Sequence, residues 1–476
     1  MKHILYLTSE ATPFVASGGL GDVMGALPRA VRRLGHGELR VSVLLPLYAS
    51  VEKRWRRRMK KVYEGEFHLA WRRVPYTVHR LDYYGVSFLF VENPRYFDRP
   101  GLYGEYDDGE RFAFLSRAAV EYIRTLPEPP DVLHANDWQS ALAIIYLRTL
   151  FANDSRLSRV RTVYTVHNIE YQGRYSPDIL SDVFDLHPVH ARHVLHGGGI
   201  NLTRGAIALA DRVTTVSPRY VSELCRYEYD FGLGDEIRNA AWKMRGILNG
   251  LDTTYFSPQD RTLPHPFTVA TRKEGKAASK TAVLRELGLP DDGAPLLLVV
   301  SRLVAAKGMD LLLEILPTLL REGACCAVLG TGDPAYERAL TDMAEAYPDR
   351  LRVILAFDRA LSKRLYAGGD VFLMPSRSEP CGLSQMIACR FGCVPVVHAV
   401  GGLADSITPY TAGEGNGFRF DSYTAEAFLL AVRAALSLYR ESPRELDALR
   451  GICMRSDFSW RRSALEYLEL YESITT

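Results

Sequence analysis

Two cations five residues apart, Arg302 and Lys307, stand in the segment Ser301-Arg302-Leu303-Val304-Ala305-Ala306-Lys307-Gly308, directly after the apolar run Leu296 to Val300. A guanidinium fork paired with an ammonium point charge makes a clamp for a diphosphate leaving group, whose charge grows as its bond to a sugar breaks. The plainer alternative is a solvated basic pair at a helix start. The positive end of a helix dipole disfavours cations there unless an anion is bound. A second segment, Pro375-Ser376-Arg377-Ser378-Glu379-Pro380-Cys381-Gly382-Leu383-Ser384-Gln385, follows the apolar run Val371 to Met374. It places Glu379 where a helix would begin, able to accept sugar hydroxyls, with the backbone N–H groups that follow it turned to a ligand. A capping glutamate fits less well, because Glu is a poor N-cap and Pro380 and Gly382 lie in the same stretch.

Three further turns carry polar or glycine residues after apolar runs. Ala16-Ser17-Gly18-Gly19-Leu20-Gly21-Asp22-Val23 opens onto a helical stretch at Val23 to Leu34, and backbone amides at such a start can hold a phosphate. Its glycines match neither the dinucleotide fingerprint nor the Walker spacing, so a tight strand-to-helix turn explains them equally well. His134-Ala135-Asn136-Asp137-Trp138 and Val166-His167-Asn168, with Tyr171-Gln172-Gly173 beyond, end two strands in polar residues. Singly each fits a satisfied core residue; together they favour a sugar pocket. Gly401-Gly402-Leu403-Ala404-Asp405 is another glycine turn that permits close backbone approach.

Parallel strands alternating with helices position such residues, because ligands in open α/β sheets bind beyond the carboxyl ends of the strands. Short apolar runs at Ile4 to Leu7, Val41 to Leu45, Val86 to Val91, Val132 to His134, Thr162 to His167 and Arg212 to Val216 predict a first parallel sheet. The pattern stops after Ile247-Leu248-Asn249-Gly250, where a turn-rich stretch at Ser257 to Pro266 suits a linker. It restarts at Leu296 to Val300, Cys325 to Leu329, Leu351 to Leu355, Val371 to Met374 and Val394 to His398, which predicts a second doubly wound domain. The tail, Ala464 to Tyr471, reads as a helix with aromatics and leucines on one face.

Composition narrows the function classes. At 476 residues the chain exceeds what a single growing core supports. A formal net charge of +2 gives no bulk attraction to nucleic acid or membrane, and no apolar run approaches the ~20 residues of a membrane helix. The basic cluster Lys53 to Lys61 is the one local exception and reads as a solvated face. Seven scattered cysteines without a Cys-x-x-Cys pair argue against a disulfide framework or zinc site and for a reducing cytoplasm. Nucleophile-elbow, His-Glu-x-x-His, Walker and dinucleotide signatures are missing, which removes weight from hydrolase, zincin, NTPase and dehydrogenase readings.

In this order, the segments resemble the bacterial glycogen synthases and plant starch synthases from Ile4 to Tyr471. The resemblance rests on Ser9-Glu10, Gly18 to Val23, Asp137-Trp138, Thr165 to Asn168, Val216-Ser217-Pro218, Ile247 to Gly250, Ser301-Arg302-Leu303, Lys307-Gly308, Gly330 to Asp333, Pro375-Ser376-Arg377, Glu379 to Leu383 and Gly401 to Asp405. It implies an α/β glycosyltransferase B fold, two Rossmann-like doubly wound domains facing across a deep cleft, with a C-terminal helix crossing back to the first. The expected limits are 1–256 for an acceptor and sugar domain, 257–270 for the linker, 271–456 for a nucleotide-sugar donor domain and 457–476 for the returning helix. The implied reaction is transfer of glucose from ADP-glucose to the non-reducing end of glycogen or another α-1,4-glucan, with retention of configuration and without a metal or other cofactor. Arg302 and Lys307 would hold the diphosphate, and Glu379 with the amides near Cys381, Gly382 and Leu383 would position the glucose. His167 would stabilise an oxocarbenium-like transition state, Asp137 and Asn249 would line the sugar pocket, Gly18, Gly19 and Asp22 would touch the donor, and Phe357 would stack on the base.

One position departs from that family's pattern. Its members usually carry a lysine two residues before Gly18, and here that residue is Ala16. Loss of a charge-assisted phosphate contact typically costs ~1.5 to 3 kcal/mol, or one to two orders of magnitude in donor affinity or rate. A low-activity or non-catalytic glucan-binding paralogue is therefore one alternative. Another is a retaining glucosyltransferase that uses UDP-glucose or a small-sugar acceptor.

Overall fold

The computed structural model describes residues 2–411 and 413–475; Met1, Ala412 and Thr476 lie outside the described residues. The chain forms two compact units. One runs to Gly250 and takes in the tail from Trp460, and the other is Leu251–Ser459. Asp260, Leu263 and Phe267, from the stretch expected as a linker, belong to the second unit. Lys363 Nζ donates to Asp260 Oδ2 at 2.8 Å, and the buried Phe267 ring fills the space that Gly275 leaves by lacking a side chain. The proline-rich composition of that stretch marks turns, and its few anchored side chains tie those turns down.

The first unit contains β1 (Lys2–Leu7), β2 (Leu39–Pro46), β3 (Lys60–Leu69), β4 (Arg72–Tyr83), β5 (Val86–Glu92), β6 (Val132–Asn136), β7 (Arg161–Val166), β8 (Arg174–Tyr175), β9 (Leu195–His196), β10 (Gly199–Asn201), β11 (Arg212–Thr215) and β12 (Met244–Gly246). Nine of these form one sheet in the order β12-β11-β7-β6-β1-β2-β5-β4-β3, and β8, β10 and β9 form a small second one. The large sheet is mixed, not wholly parallel as the sequence suggested, because β4 runs antiparallel to both β5 and β3. The hairpin alternates: Val74, Tyr76 and Val78 face the core while Arg73, Pro75 and Thr77 do not, and charged residues mask that period. Lys60 and Lys61 of the basic cluster begin the outermost strand, where charge blocks edge-to-edge pairing.

The tail helix Trp460–Thr475 packs on the helix Gly19–Leu34. Its buried Tyr471 hydroxyl reaches His134 Nδ1 at 2.7 Å and the Tyr6 hydroxyl at 2.8 Å, so the tail is bonded to β6 and β1 through the core. Tyr471→Phe keeps the ring but leaves two buried groups without this partner. The expected loss of stability is about 1–3 kcal/mol, read as a lower denaturation midpoint in urea.

The second unit holds β13 (Leu296–Val300), β14 (Cys325–Leu329), β15 (Leu351–Ile354), β16 (Val371–Met374), β17 (Val394–His398) and β18 (Phe418–Phe420) in one parallel sheet, ordered β15-β14-β13-β16-β17-β18. The four inner strands β14, β13, β16 and β17 are buried on both faces, which explains their unbroken apolar runs.

Candidate active site

In each sheet the chain winds outward in one direction, returns, and winds out in the other. The reversal falls between β1 and β6 in the first unit and between β13 and β16 in the second. Loops leaving adjacent strands diverge there, which leaves room for a ligand. The residues singled out from the sequence lie at or one strand from these two places, with Asn249 and Phe357 farther along each sheet.

In the first unit, β6 and β7 run in register with Asn136 beside Thr165. Asp137 follows with φ 57°, a conformation that Asp tolerates better than most residues, and donates its N–H to Thr165 O at 2.9 Å. That turn aims its carboxylate at the next strand end, where Asp137 Oδ1 accepts the His167 N–H at 2.7 Å. His167 Nε2 lies 2.9 Å from Asn136 Oδ1. The Asn136 amide nitrogen already donates to Leu7 O and His134 O, so its oxygen must accept from the imidazole. His167 therefore carries its proton on Nε2 and a lone pair on Nδ1. Burial lowers its pKa to about 3, so the ring is neutral at physiological pH.

Burial, with the nearby charge of Glu10 as a lesser contribution, raises Asp137 to about 7 against the amide hydrogen bonds from His167 and Asn168. The folded chain thus holds a proton that the unfolded chain releases near pH 4. Stability attributable to Asp137 is full below that value and declines as pH rises to about 7. Asp137→Asn removes the titration. The thermal midpoint of the variant is expected to gain on that of the parent between pH 4 and 7 and to hold a constant offset above; an offset independent of pH would show that Asp137 ionises normally.

Gly18 and Gly19 are exposed and open, but the loop is partly occupied from within. The buried Glu10 carboxylate accepts the N–H groups of Ser17 and Gly18, the Ser17 hydroxyl at 2.8 Å and the Tyr103 hydroxyl at 2.6 Å. Two amides that the sequence offered to a phosphate are thereby used internally. The first turn of the helix, Gly19 to Gly21 with the half-buried Asp22, has no side-chain cap on its N-terminus among the described residues, the arrangement in which first-turn N–H groups can meet an anion. Gly21 is needed for packing, since a side chain there would strike Ala16. Asn249, beyond β12, is buried, and its Oδ1 has no hydrogen-bond partner among the described residues, so a ligand donor would satisfy it.

In the second unit Lys307 Nζ and Glu379 Oε2 form an ion pair at 2.5 Å, and Ser376 Oγ donates to the same oxygen at 3.0 Å. Two backbone features bring the loops together. Gly308, at φ 73°, lies where any side chain would strike Pro375 O, and the Arg377 N–H donates to Ala306 O at 2.9 Å. Arg302 is exposed, and its guanidinium has no partner among the described residues. Cys381, Gly382 and Leu383 lead into the helix Ser384–Arg390, and Gly382 takes φ 70°. Gln385 braces this turn from below, its amide nitrogen reaching Cys381 O, Gly382 O and Ser406 Oγ. Phe357 stands apart, beyond the edge strand β15 and 78% exposed, a flat apolar surface on the same end of the sheet.

Glu10, Ser376 and Gln385 stood within quoted segments but were given no role of their own from the sequence. Glu10 could have been given one, since it lies three residues beyond β1, at the carboxyl end of a strand like His167 beyond β7. The other two act through bonds that only the folded loops reveal.

Residues 3–239 match the family model described as the starch synthase catalytic domain, and residues 282–448 match glycosyl transferases group 1. A glycogen synthase of Geobacillus thermodenitrificans is 40% identical over 99% of this chain and 97% of its own length. One from Exiguobacterium sibiricum is 41% identical over 99% of both chains. Among solved structures, the catalytic domain of starch synthase IV from Arabidopsis thaliana superposes with a TM-score of 0.91 at 32% identity, covering 100% of this chain and 99% of the other. Sucrose-phosphate synthase from Thermosynechococcus elongatus, at 18% identity and a TM-score of 0.62, shares the fold. The fold is that of the glycosyltransferase B enzymes, and the chain belongs to the glycogen and starch synthase family of glucosyltransferases.

Proposed function

We propose that this chain transfers glucose from ADP-glucose to the non-reducing end of an α-1,4-glucan such as glycogen, with retention of configuration. The observation that carries the reading is the Lys307–Glu379 pair set on loops stitched together, with Arg302, whose guanidinium has no partner among the described residues, five residues before Lys307. Arg302 and Lys307 neutralise the diphosphate as it departs, and Glu379 with the amides of Cys381 to Leu383 holds the glucose hydroxyls. As the C1–O bond to phosphate breaks, positive charge grows on the sugar ring, and a neutral His167 tolerates that charge where an imidazolium would repel it. The acceptor hydroxyl forms its bond to C1 on the face that the diphosphate leaves and passes its proton to the departing phosphate oxygen. Retention follows from that geometry. The adenine donor is supported by the plant neighbour, described as bound to ADP and acarbose, and by the exposed ring of Phe357. Seven free cysteines fit a reducing cytoplasm.

The linkage test is digestion of glycogen labelled by this enzyme. An exo-acting hydrolase specific for α-1,4 bonds should release the labelled glucose almost entirely; label resistant to it would contradict retention or the site of addition. Ala16 favours a slower enzyme than its lysine-bearing relatives. Ala16→Lys is expected to raise donor affinity or turnover about 10- to 100-fold in steady-state kinetics, and unchanged constants would show that other cations already meet the phosphate.

A further inference from the structure

We infer that the loop Tyr227–Leu233, together with Tyr171, is a platform for the acceptor glucan, contacting the sugar rings behind the one that reacts. The inference rests on the proposed transferase reading and assigns that reading a polymer-binding surface. Tyr227 is 91% exposed, Tyr171 49% and Phe231 44%, a density of uncovered aromatic surface that packing alone does not call for. Phe231 is held at φ 49°, a left-handed conformation that costs energy for a bulky side chain, and is followed by Gly232 at φ 86°.

The strain is maintained by side chains that hold the loop from beneath. The Phe231 carbonyl accepts Gln172 Nε2 at 3.2 Å and also Arg174 Nη2. The Gly232 carbonyl lies 2.7 Å from His196 Nε2, and the Gly232 N–H donates to Asp230 Oδ1 at 2.7 Å. Gln172 is buried, and the same Nε2 donates to Ile169 O at 2.9 Å. Ile169 is two residues beyond His167, so one amide group ties the aromatic loop to the segment that leaves β7. The Tyr171 N–H in turn donates to Asn168 O at 3.3 Å. Aromatic rings on a loop tied to the segment that follows His167 present flat apolar faces to the C–H faces of glucose rings, while hydroxyls stay hydrated at the edges. The occupant that this chemistry fits, on a loop tied through Gln172 to the segment after His167, is the α-1,4-glucan chain itself.

The test uses the full chain with Phe231→Asn, because Asn accepts positive φ and relieves the strain while removing the ring. Covering one ring face removes ~50 Å² from water, which corresponds to a rise in the acceptor KM of about five- to tenfold. ADP-glucose KM and kcat at saturating glycogen should stay within about twofold, and Phe231→Tyr should restore the parent acceptor KM. An acceptor KM unchanged in Phe231→Asn, or a fall in kcat alone, overturns the assignment. Cosedimentation with glycogen, without donor, separates the two readings. Should the parent transfer no glucose, weaker cosedimentation of the variant still supports the platform, and equal cosedimentation rejects it.

Discussion

Glu379→Ala is expected to lower kcat by roughly 10²- to 10³-fold, the cost of removing one preorganised group from a transfer site, while ADP binds at least as tightly as before. The asymmetry follows from the ion pair. Lys307 Nζ and Glu379 Oε2 lie 2.5 Å apart, so the carboxylate competes with a diphosphate for the ammonium. Deleting the carboxylate leaves the ammonium without its anion, and a nucleoside diphosphate becomes a better partner for it. On the proposed reading the sugar then loses the acceptor that orients its hydroxyls, so chemistry slows though the nucleotide stays. Lys307→Ala should show the converse, with weaker ADP inhibition and slower turnover. Steady-state kinetics with ADP as a competitive inhibitor distinguishes the pair; parallel weakening of ADP in both variants would show that the two residues act as one rigid unit.

His167→Ala is expected to reduce kcat by about 10²-fold or more with little change in donor KM, because in the proposed mechanism the ring acts where charge develops and not where the nucleotide is gripped. Its pKa of about 3 means that the imidazole stays neutral from pH 5 upward. The parent rate profile should therefore lack a limb that His167→Ala removes. Asn136 is the positioning partner: Asn136→Ala frees the ring from Oδ1, 2.9 Å away, and should lower kcat about tenfold without moving the profile. A limb near pH 6.5 that vanishes in His167→Ala would instead make the residue a titrating acid or base.

Much of the candidate site was legible because it lies beyond strand ends, where polar residues after apolar runs are conspicuous. Arg302, Lys307, Glu379, Asp137 and His167 all came from that rule. What it could not reveal were partnerships across long stretches of chain. Lys307 and Glu379, 72 residues apart, looked like separate tools and form one ion pair. Gly18 looked open to phosphate, yet its N–H is taken by Glu10, because a buried carboxylate must find donors and the nearest are loop amides. The β3–β4 hairpin escaped notice because exposed charges on a half-buried edge strand obscure the apolar alternation. Phe357 was visible as a residue, but its exposure depends on how the edge of the sheet is finished.

The central claim is glucosyl transfer from an adenosine donor, and incorporation of labelled glucose into glycogen tests it most directly, with ADP-glucose and UDP-glucose run separately and Glu379→Ala alongside. Incorporation from ADP-glucose well above that from UDP-glucose, and lost in the variant, is the expected result. Incorporation from UDP-glucose alone, or equal incorporation by the parent and the variant, would contradict it.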